Sequence, residues 1–173
     1  SRQARAQFAG VLQAQRDDPE HDERSALVAA YLEQDRACTA SLDCSQSGTT
    51  AVSCLLAVDP ATSQLTCHTA WAGDARAVVG TALPDGSLGA VDVSIDHKPE
   101  RPGERARIER SGGKVEPIYD ADGQPAGPHR VWFVPQVAPG LAMSRSIGDK
   151  IAKEVGVTAE PEVGHHEVCR FGA

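Results

Sequence analysis

The sequence has few aromatic residues: two tryptophans, two tyrosines and three phenylalanines among 173 residues. Its core must therefore be built largely from alanine, valine, leucine and isoleucine, which are also commonly buried. No apolar run approaches the length of about 18 residues that a membrane-spanning helix needs. Nor does a charged start precede an apolar stretch, as it would in a signal peptide. We therefore expect neither a membrane span nor a secretory leader.

Cysteine pairs with the spacing of a metal site are absent. The chain has five cysteines, an odd number, and none of them belongs to a Cys-x-x-Cys pair. This pattern argues against a disulfide scaffold and against a zinc ribbon. Unpaired thiols fit a reducing compartment, so we expect an intracellular protein of the cytoplasm or nucleus.

Positive charge is also scarce, with 17 Lys and Arg residues against 24 Asp and Glu residues and a formal net charge of -7. An acidic chain repels phosphate backbones, so we expect no nucleic-acid partner. The length lies within the range of one domain, and 40% hydrophobic residues suffice for one core. We expect residues 1–173 to form a single, incomplete domain.

Hydrophobic periodicity predicts helices at the start of the chain and strands in its middle. Apolar residues recur at helical spacing over 3–16 and 23–40. A third helix is expected over 102–111, because a proline opens it and two glycines follow it. A fourth is expected from Ile147. Apolar and β-branched runs predict strands at 49–58, 64–72, 75–83, 90–95, 130–134 and 161–168.

The connections between these strands predict an antiparallel arrangement. Gly73-Asp74 is short enough for a hairpin turn, and Pro84-Asp85-Gly86 is a second turn. Consecutive strands joined in this way indicate a meander rather than βαβ units. The polar stretch 119–129 is predicted to be a loop. The fold class expected from these elements is α+β.

Four segments, in this order along the chain, carry a family resemblance. Together with 160–163 (EPEV), they resemble the middle of the metal-dependent serine/threonine protein phosphatases of type 2C. The last of the four is the most specific, and Gly-Asp-x-Arg alone is weak. The segments are 47–52 (SGTTAV), 72–77 (AGDARA), 96–99 (DHKP) and 140–149 (GLAMSRSIGD).

The resemblance implies a sandwich of two antiparallel sheets flanked by helices. In this family a cleft at one end holds two or three Mn²⁺ or Mg²⁺ ions, and a metal-bound water hydrolyses phosphoserine or phosphothreonine of partner proteins. Hard cations of this kind prefer carboxylate oxygens and water. Two of them can activate the nucleophile and neutralise the phosphate.

Asp74 matches the family's Gly-Asp-x-Arg motif, after Gly73, and the resemblance implies that it helps to hold a weakly bound third ion. The alternative is a turn aspartate that satisfies local backbone amides. We expect Arg76 to pair with a carboxylate near the end of the sheet. Asp96, His97 and Lys98 resemble a loop-fixing network, so His97 is expected to be structural. No catalytic residue is assigned.

The remaining supporting positions lie at the two ends of the resemblance. Ser47, Gly48 and Thr49 begin a strand near the cleft floor in the family, or are simply small residues for packing. Ser144, Arg145 and Asp149 are expected to order the segment that returns from a flap, at 114–139, with or without proximity to the active site. In that flap, Trp132 either packs on the flap itself or contacts a partner.

The family's principal metal-binding motifs do not occur in this sequence. Neither Asp-Gly-His-Gly nor the late Asp-Gly motif before an apolar residue is present, and Asp85-Gly86 and Asp122-Gly123 lie in turn contexts. We therefore expect a partial β-sandwich, truncated at both ends, that is inactive alone. Mn²⁺ or Mg²⁺ is expected in the intact family domain, with or without a bound ion in this segment. Its open sheet edges predict a homodimer or a covering partner. The alternative function is a pseudophosphatase, a module that binds phosphoproteins or other partners without catalysis.

Overall fold

The computed structural model describes residues 2–59, 61–133 and 140–168. Two long helices, α1 (Arg2–Arg16) and α2 (Glu23–Ser41), precede the strands, close to the expected bounds. Asp22 caps α2 with a capping box, because its carboxylate accepts the Ser25 N–H and the Ser25 hydroxyl accepts the Asp22 N–H. No helix in these residues is long and apolar enough to cross a membrane.

The strands of the described residues form four antiparallel sheets, so the α+β class is confirmed. The largest has three strands in the order β2 (Ala51–Val58), β3 (Leu65–Ala72) and β9 (Glu162–Val168). The others are pairs: β1 with β8, β4 with β5, and β6 with β7. Their bounds are Gly48–Thr49 for β1, Val78–Ala82 for β4, Leu88–Asp92 for β5, Lys114–Tyr119 for β6, Pro125–Trp132 for β7 and Ile147–Gly148 for β8.

The prediction of a hairpin turn at Gly73-Asp74 is wrong. The continuous meander that it would have formed is therefore also absent from the described strands. β4 pairs with β5 instead of β3, because both edges of β3 are already taken by β2 and β9. Gly73 has a φ of 110°, so the chain turns sharply away from the three-stranded sheet at this point. The expected turn at Pro84-Asp85-Gly86 does join a hairpin, that of β4 and β5.

Two further expectations are corrected around the later strands. The stretch 119–129 is largely not a loop, since Pro125–Trp132 pairs with Lys114–Tyr119 around a short turn. These strands are polar and carry prolines, so alternation could not reveal them. The helix expected from Ile147 begins only at Lys150 and ends at Lys153 (α4), because Ile147–Gly148 pairs with Gly48–Thr49.

The core consists of two clusters of mostly small and aliphatic residues, as the scarcity of aromatics predicts. One lies where α1 and α2 pack on the three-stranded sheet, and it includes Leu27, Tyr31, Ala70 and Ala72. The other lies below α3 (Pro102–Arg110), where Ile108 contacts β6, β7 and the segment after α4. Some residues of the motif segments belong to these clusters: Ala72 and Ile147 lie in the first, and Leu141 packs against the second.

Candidate functional site

Asp74 lies in a tight turn at the end of β3. A side chain at the preceding Gly73 would meet Thr50 Cγ2 at 2.2 Å, so the approach of these two segments needs glycine. His97 holds this turn from both sides. Its backbone N–H donates to the Gly73 carbonyl at 3.0 Å, and its Nδ1 accepts the Gly73 N–H at 3.1 Å. The carboxylate of Asp74 is therefore carried by a fixed backbone.

The Asp74 carboxylate faces a lysine. Lys98 Nζ donates to Asp74 Oδ2 at 2.6 Å and lies 3.6 Å from Asp96 Oδ2. The hydrogen bond to Asp74 raises the pKa of the Lys98 ammonium. Arg76 donates to both oxygens of Asp96, at 2.7 and 3.1 Å, and so lowers the pKa of that carboxyl. The carboxylate expected as the partner of Arg76 is thus Asp96.

His97 is wholly buried and neutral. Because Nδ1 accepts the Gly73 N–H, the ring proton must lie on Nε2, 3.5 Å from Glu162 Oε1. Burial, together with the nearby Arg145 guanidinium, lowers the pKa of His97 to about 4. The ring stacks on Trp71 with centroids 6.1 Å apart. The contacts with Gly73 and Trp71 suit a framework residue. Nε2 has no hydrogen-bond partner in the described part of the chain.

The buried carboxylate of Glu104, on α3, accepts hydrogen bonds from two guanidinium groups. Arg107 donates to both of its oxygens, at 2.9 and 2.7 Å, and Arg145 Nη2 donates at 2.7 Å. The Ser144 hydroxyl donates a further hydrogen bond. Burial alone would raise the pKa of Glu104, but these hydrogen bonds hold it far below its usual value. This ionic cluster joins α3 to the segment after the flap.

The cluster extends to the turn of Asp74 and to β9. The Ser144 N–H donates to the His97 carbonyl at 2.8 Å, so the Glu104 cluster also fixes the residue that holds Gly73. Arg145 reaches Glu162 at 3.3 Å, and Arg101 reaches the same carboxylate at 3.1 Å. The sequence expectation named Ser144 and Arg145 but gave no role to Glu104 or Glu162. A buried charge in a helix leaves no periodic signal that would reveal its partners.

A second group of expected residues lies at the β1–β8 pair. Gly48 faces Gly148, and the Asp149 N–H donates to the Ser47 carbonyl at 2.9 Å. Asp149 has a φ of 47°, and a Cβ on Gly48 would lie 2.1 Å from its Oδ2. Thr49 pairs with Ile147 in the same ladder. The hydrogen bonds of these residues order the strand start, and none that we observe reaches the Asp74 carboxylate.

A groove of about 760 Å³ runs between α1 and β2. It reaches the turn of Asp74, because Thr50 and Ala75 line it. Its walls are mostly apolar, with Phe8, Tyr31 and Val52 among them. In the flap region, Trp132 Nε1 donates to the Glu116 carbonyl at 2.9 Å, so this tryptophan packs on its own hairpin. Residues 134–139 of the predicted flap lie outside the described residues.

Comparison with known families tests the resemblance that these motifs carry. The family described as protein phosphatase 2C matches residues 1–170. The chain belongs to the protein phosphatase 2C family. The motif segments and the framework that joins them are therefore those of a phosphatase 2C domain.

The phosphatase 2C relatives include plant proteins. The chain is 43% identical over 128 residues to probable protein phosphatase 2C 12 of Oryza sativa subsp. japonica, covering 74% of this chain and 30% of the relative. It is 38% identical over 127 residues to probable protein phosphatase 2C 34 of Arabidopsis thaliana, covering 73% of this chain and 33% of the relative. It thus spans about a third of the length of these curated relatives.

Solved structures agree on the fold. A serine-threonine phosphatase 2C from Toxoplasma gondii matches with a TM-score of 0.66 at 25% identity, over 84% of this chain and 46% of that one. A C. elegans sex determining protein matches with a TM-score of 0.69 at 23% identity, over 93% of this chain and 35% of that one, which shows the fold alone.

Phosphatases 2C are metal-dependent, yet the residues described here do not fit a divalent-metal centre. No group of three or more His, Cys, Asp or Glu side chains that could hold an ion occurs among them. The one expected ligand, Asp74, already binds the Lys98 ammonium. A two-metal centre needs several oxygen ligands, so this phosphatase 2C segment does not form one from these residues.

Proposed function

We propose that this chain is the core segment of a Mg²⁺- or Mn²⁺-dependent protein phosphatase that hydrolyses phosphoserine and phosphothreonine in proteins. The match of the phosphatase 2C family to residues 1–170 carries this proposal. In a complete centre the metal ions would activate a water as the nucleophile. Here Asp74 contributes one carboxylate, and the Glu104 cluster and His97 hold its turn in place.

We also propose that the chain is inactive alone, because its described residues include no group of three or more side chains that could hold a metal ion, whereas the reaction needs a metal cluster. A general acid or base without metal accelerates reactions only about 10²- to 10⁴-fold, against the acceleration of up to about 10²¹ known for phosphate-monoester hydrolysis. The same observation favours the second candidate, a pseudophosphatase that binds phosphoproteins or other partners without hydrolysing them.

Hydrolysis of an aryl phosphate and of a phosphothreonine peptide tests the first proposal. The 173-residue chain and the longest protein that its gene encodes are assayed with Mn²⁺ and with EDTA. We expect Mn²⁺-dependent turnover only in the longer protein, reduced by Asp74→Asn but not by Asp122→Asn in an exposed turn. No turnover in the longer protein, with peptide binding retained, would favour the pseudophosphatase. Turnover by the chain alone would contradict the incomplete site.

We further propose that two copies of the isolated chain associate through apolar strand surfaces. β2 has one open edge in the three-stranded sheet, with Leu56 and Val58 exposed, and the β4–β5 hairpin exposes Leu88 and Val91. Open apolar edges of this kind promote pairing between chains. Light scattering is expected to give the mass of a dimer, and a monomer at high protein concentration would contradict this proposal.

A further inference from the structure

The outer edge of β2 lacks the features that keep strand edges from pairing with other chains. The eight residues Ala51–Val58 include no charged residue, glycine or proline, and their register with β3 continues without a bulge. β3 occupies one edge of β2, and no strand of the described residues pairs with the other. Natural edges are commonly protected by lysine, proline, bulges or covering segments. This edge is therefore free to accept a further strand.

A groove gives access to this edge. Five successive residues, 49–53, line the groove of about 760 Å³ between β2 and α1. Because neighbouring side chains of a strand point to opposite faces, a groove lined by successive residues follows the edge of the strand. Its opposite wall is apolar, with Phe8 and Ala9 of α1, and Arg5 is the charged residue of the lining. An apolar segment in extended conformation fits these walls.

We propose that the occupant is β2 of a second copy, paired antiparallel about a two-fold axis that passes between the two Cys54 residues. This inference rests on the association of two copies proposed above, and it names the surface that carries it. In this register Val52 faces Leu56 of the second copy on one side of the joined sheet. Ala51 faces Ala57 of the second copy on the other side, since opposite residues of an antiparallel pair share a face.

The pairing is complementary in charge. Each residue of a two-fold interface meets the same patch on the other copy, so a charged strand would repel itself, whereas β2 carries no charge. Asp59 follows β2 and, in this register, lies opposite Thr49 of the other copy. Thr49 and Arg5 both line the groove, so the negative Asp59 enters a groove whose charged residue is positive.

The β4–β5 hairpin is the other apolar surface of the proposed association, but it is less suited to pairing. Its strands have five residues each, against eight in β2, and they include Gly80, Gly89 and Asp92. Glycine weakens a strand, and a charge on an edge opposes pairing with a second copy. Leu88 of the hairpin is 74% exposed, against 61% for Leu56 of β2. These two leucines therefore distinguish pairing at the edge of β2 from general apolar contact.

Sedimentation equilibrium of the 173-residue chain compares Leu56→Lys with the matched control Leu88→Lys. We expect Leu56→Lys to raise the dissociation constant of the dimer about tenfold, because the two-fold axis doubles the loss of the cross-strand pair with Val52. Leu88→Lys should raise it less than about twofold, since Leu88 lies outside the pairing. Circular dichroism of each variant checks that it is folded.

Cys54 reports the register without any change to β2. It is exposed, whereas Cys38, Cys44 and Cys67 are buried, and Cys169→Ser is introduced in every sample. Opposite residues of an antiparallel pair have Cα atoms about 4.5 or 5.5 Å apart, and a disulfide spans about 4.4–6.8 Å. Diamide, which takes up the two protons and two electrons that two thiols lose, should link the chains as dimers. Cys54→Ser should remain unlinked on a denaturing gel.

The outcomes separate this pairing from the association on which it rests. A monomer at high protein concentration, without cross-linking by diamide, would overturn both. A dimer that Leu88→Lys weakens as much as Leu56→Lys does, or more, would overturn the pairing and leave the association intact. A dimer in which diamide does not link Cys54 would have the same consequence, because another surface or register would then hold the two copies together.

Discussion

Replacing Glu104 by Gln should destabilise the chain far more than any exposed charge change on the same helix. The Glu104 carboxylate is buried and accepts hydrogen bonds from Arg107, Arg145 and the Ser144 hydroxyl. Glutamine keeps one acceptor oxygen, but it turns an amide toward guanidinium groups that can only donate. The substitution therefore removes the negative charge and leaves two cations beside a donor.

The magnitude follows from the partners that the two arginines retain. Removing one partner of a buried ion pair costs about 3–5 kcal/mol. Arg145 keeps Glu162 and the Glu160 carbonyl, and Arg107 keeps the Gly156 and Ser144 carbonyls. These remaining contacts place the expected loss at the lower end, about 3 kcal/mol of unfolding free energy.

Glu109→Gln is the matched control, because Glu109 lies on the same helix and pairs with Arg105 at 3.2 Å on the exposed surface. An exposed pair at this spacing contributes about 0.3–0.5 kcal/mol. Urea unfolding, followed by the fluorescence of Trp71 and Trp132 and by circular dichroism, measures both variants. If they differ by less than about 1 kcal/mol, the buried cluster does not stabilise the fold as argued.

Two further predictions concern the residues around the site. The pKa of His97 is about 4 in the folded chain and about 6.5 in the unfolded chain. Below pH 6.5 the unfolded chain therefore binds a proton that the folded chain does not, and the free energy of unfolding decreases as the pH is lowered. Urea midpoints should therefore show a loss of about 2 kcal/mol between pH 7 and pH 5 that is absent in His97→Asn; an equal loss in both would contradict it. Gly48→Ala should cost about 1–3 kcal/mol, because its Cβ would meet Asp149 and the Ile147 carbonyl. Gly10→Ala, in open space on α1, should instead stabilise by about 0.5–1 kcal/mol, and the same sign in both variants would contradict the close packing at Gly48.

The sequence predicts the elements whose local pattern agrees with their surroundings. α1, α2 and α3 have helical periodicity or clear end signals, and they appear within about two residues of the expected bounds. β2 and β3 are apolar and pair with each other around a turn, as consecutive strands commonly do. In these elements the local signal and the tertiary contacts favour the same structure.

The strand pairings that escape prediction depend on partners far along the chain. β9 takes the edge of β3 from about 90 residues away, which displaces β4 and removes the expected hairpin. Ile147 reads as the start of a helix, but it pairs with Thr49, and the left-handed Asp149 delays the helix to Lys150. Such choices are set by which edge is free, and that information is not local.

The expected site residues show the same division. The motif resemblance predicts Asp74, His97 and Ser144 as site residues. The structure shows how hydrogen bonds link them to one another. Glu104 binds the Ser144 hydroxyl, the Ser144 N–H binds the His97 carbonyl, and the His97 ring accepts the Gly73 N–H. Each link joins a different segment, so no single segment could have shown that the turn of Asp74 is held from the buried cluster.

This arrangement separates the stability of the site from its charge. The buried cluster ends at the backbone of Gly73, while the carboxylate of Asp74 faces Lys98 on the partly exposed side of the turn. A change in Glu104 should therefore act mainly on folding, and a change in Lys98 mainly on the charge at the Asp74 carboxylate, because their effects on Asp74 pass through different atoms. Distant sites without shared partners add, whereas coupled sites do not. A double variant of Glu104→Gln and Lys98→Met whose unfolding free energy is the sum of the two single changes would be consistent with this separation.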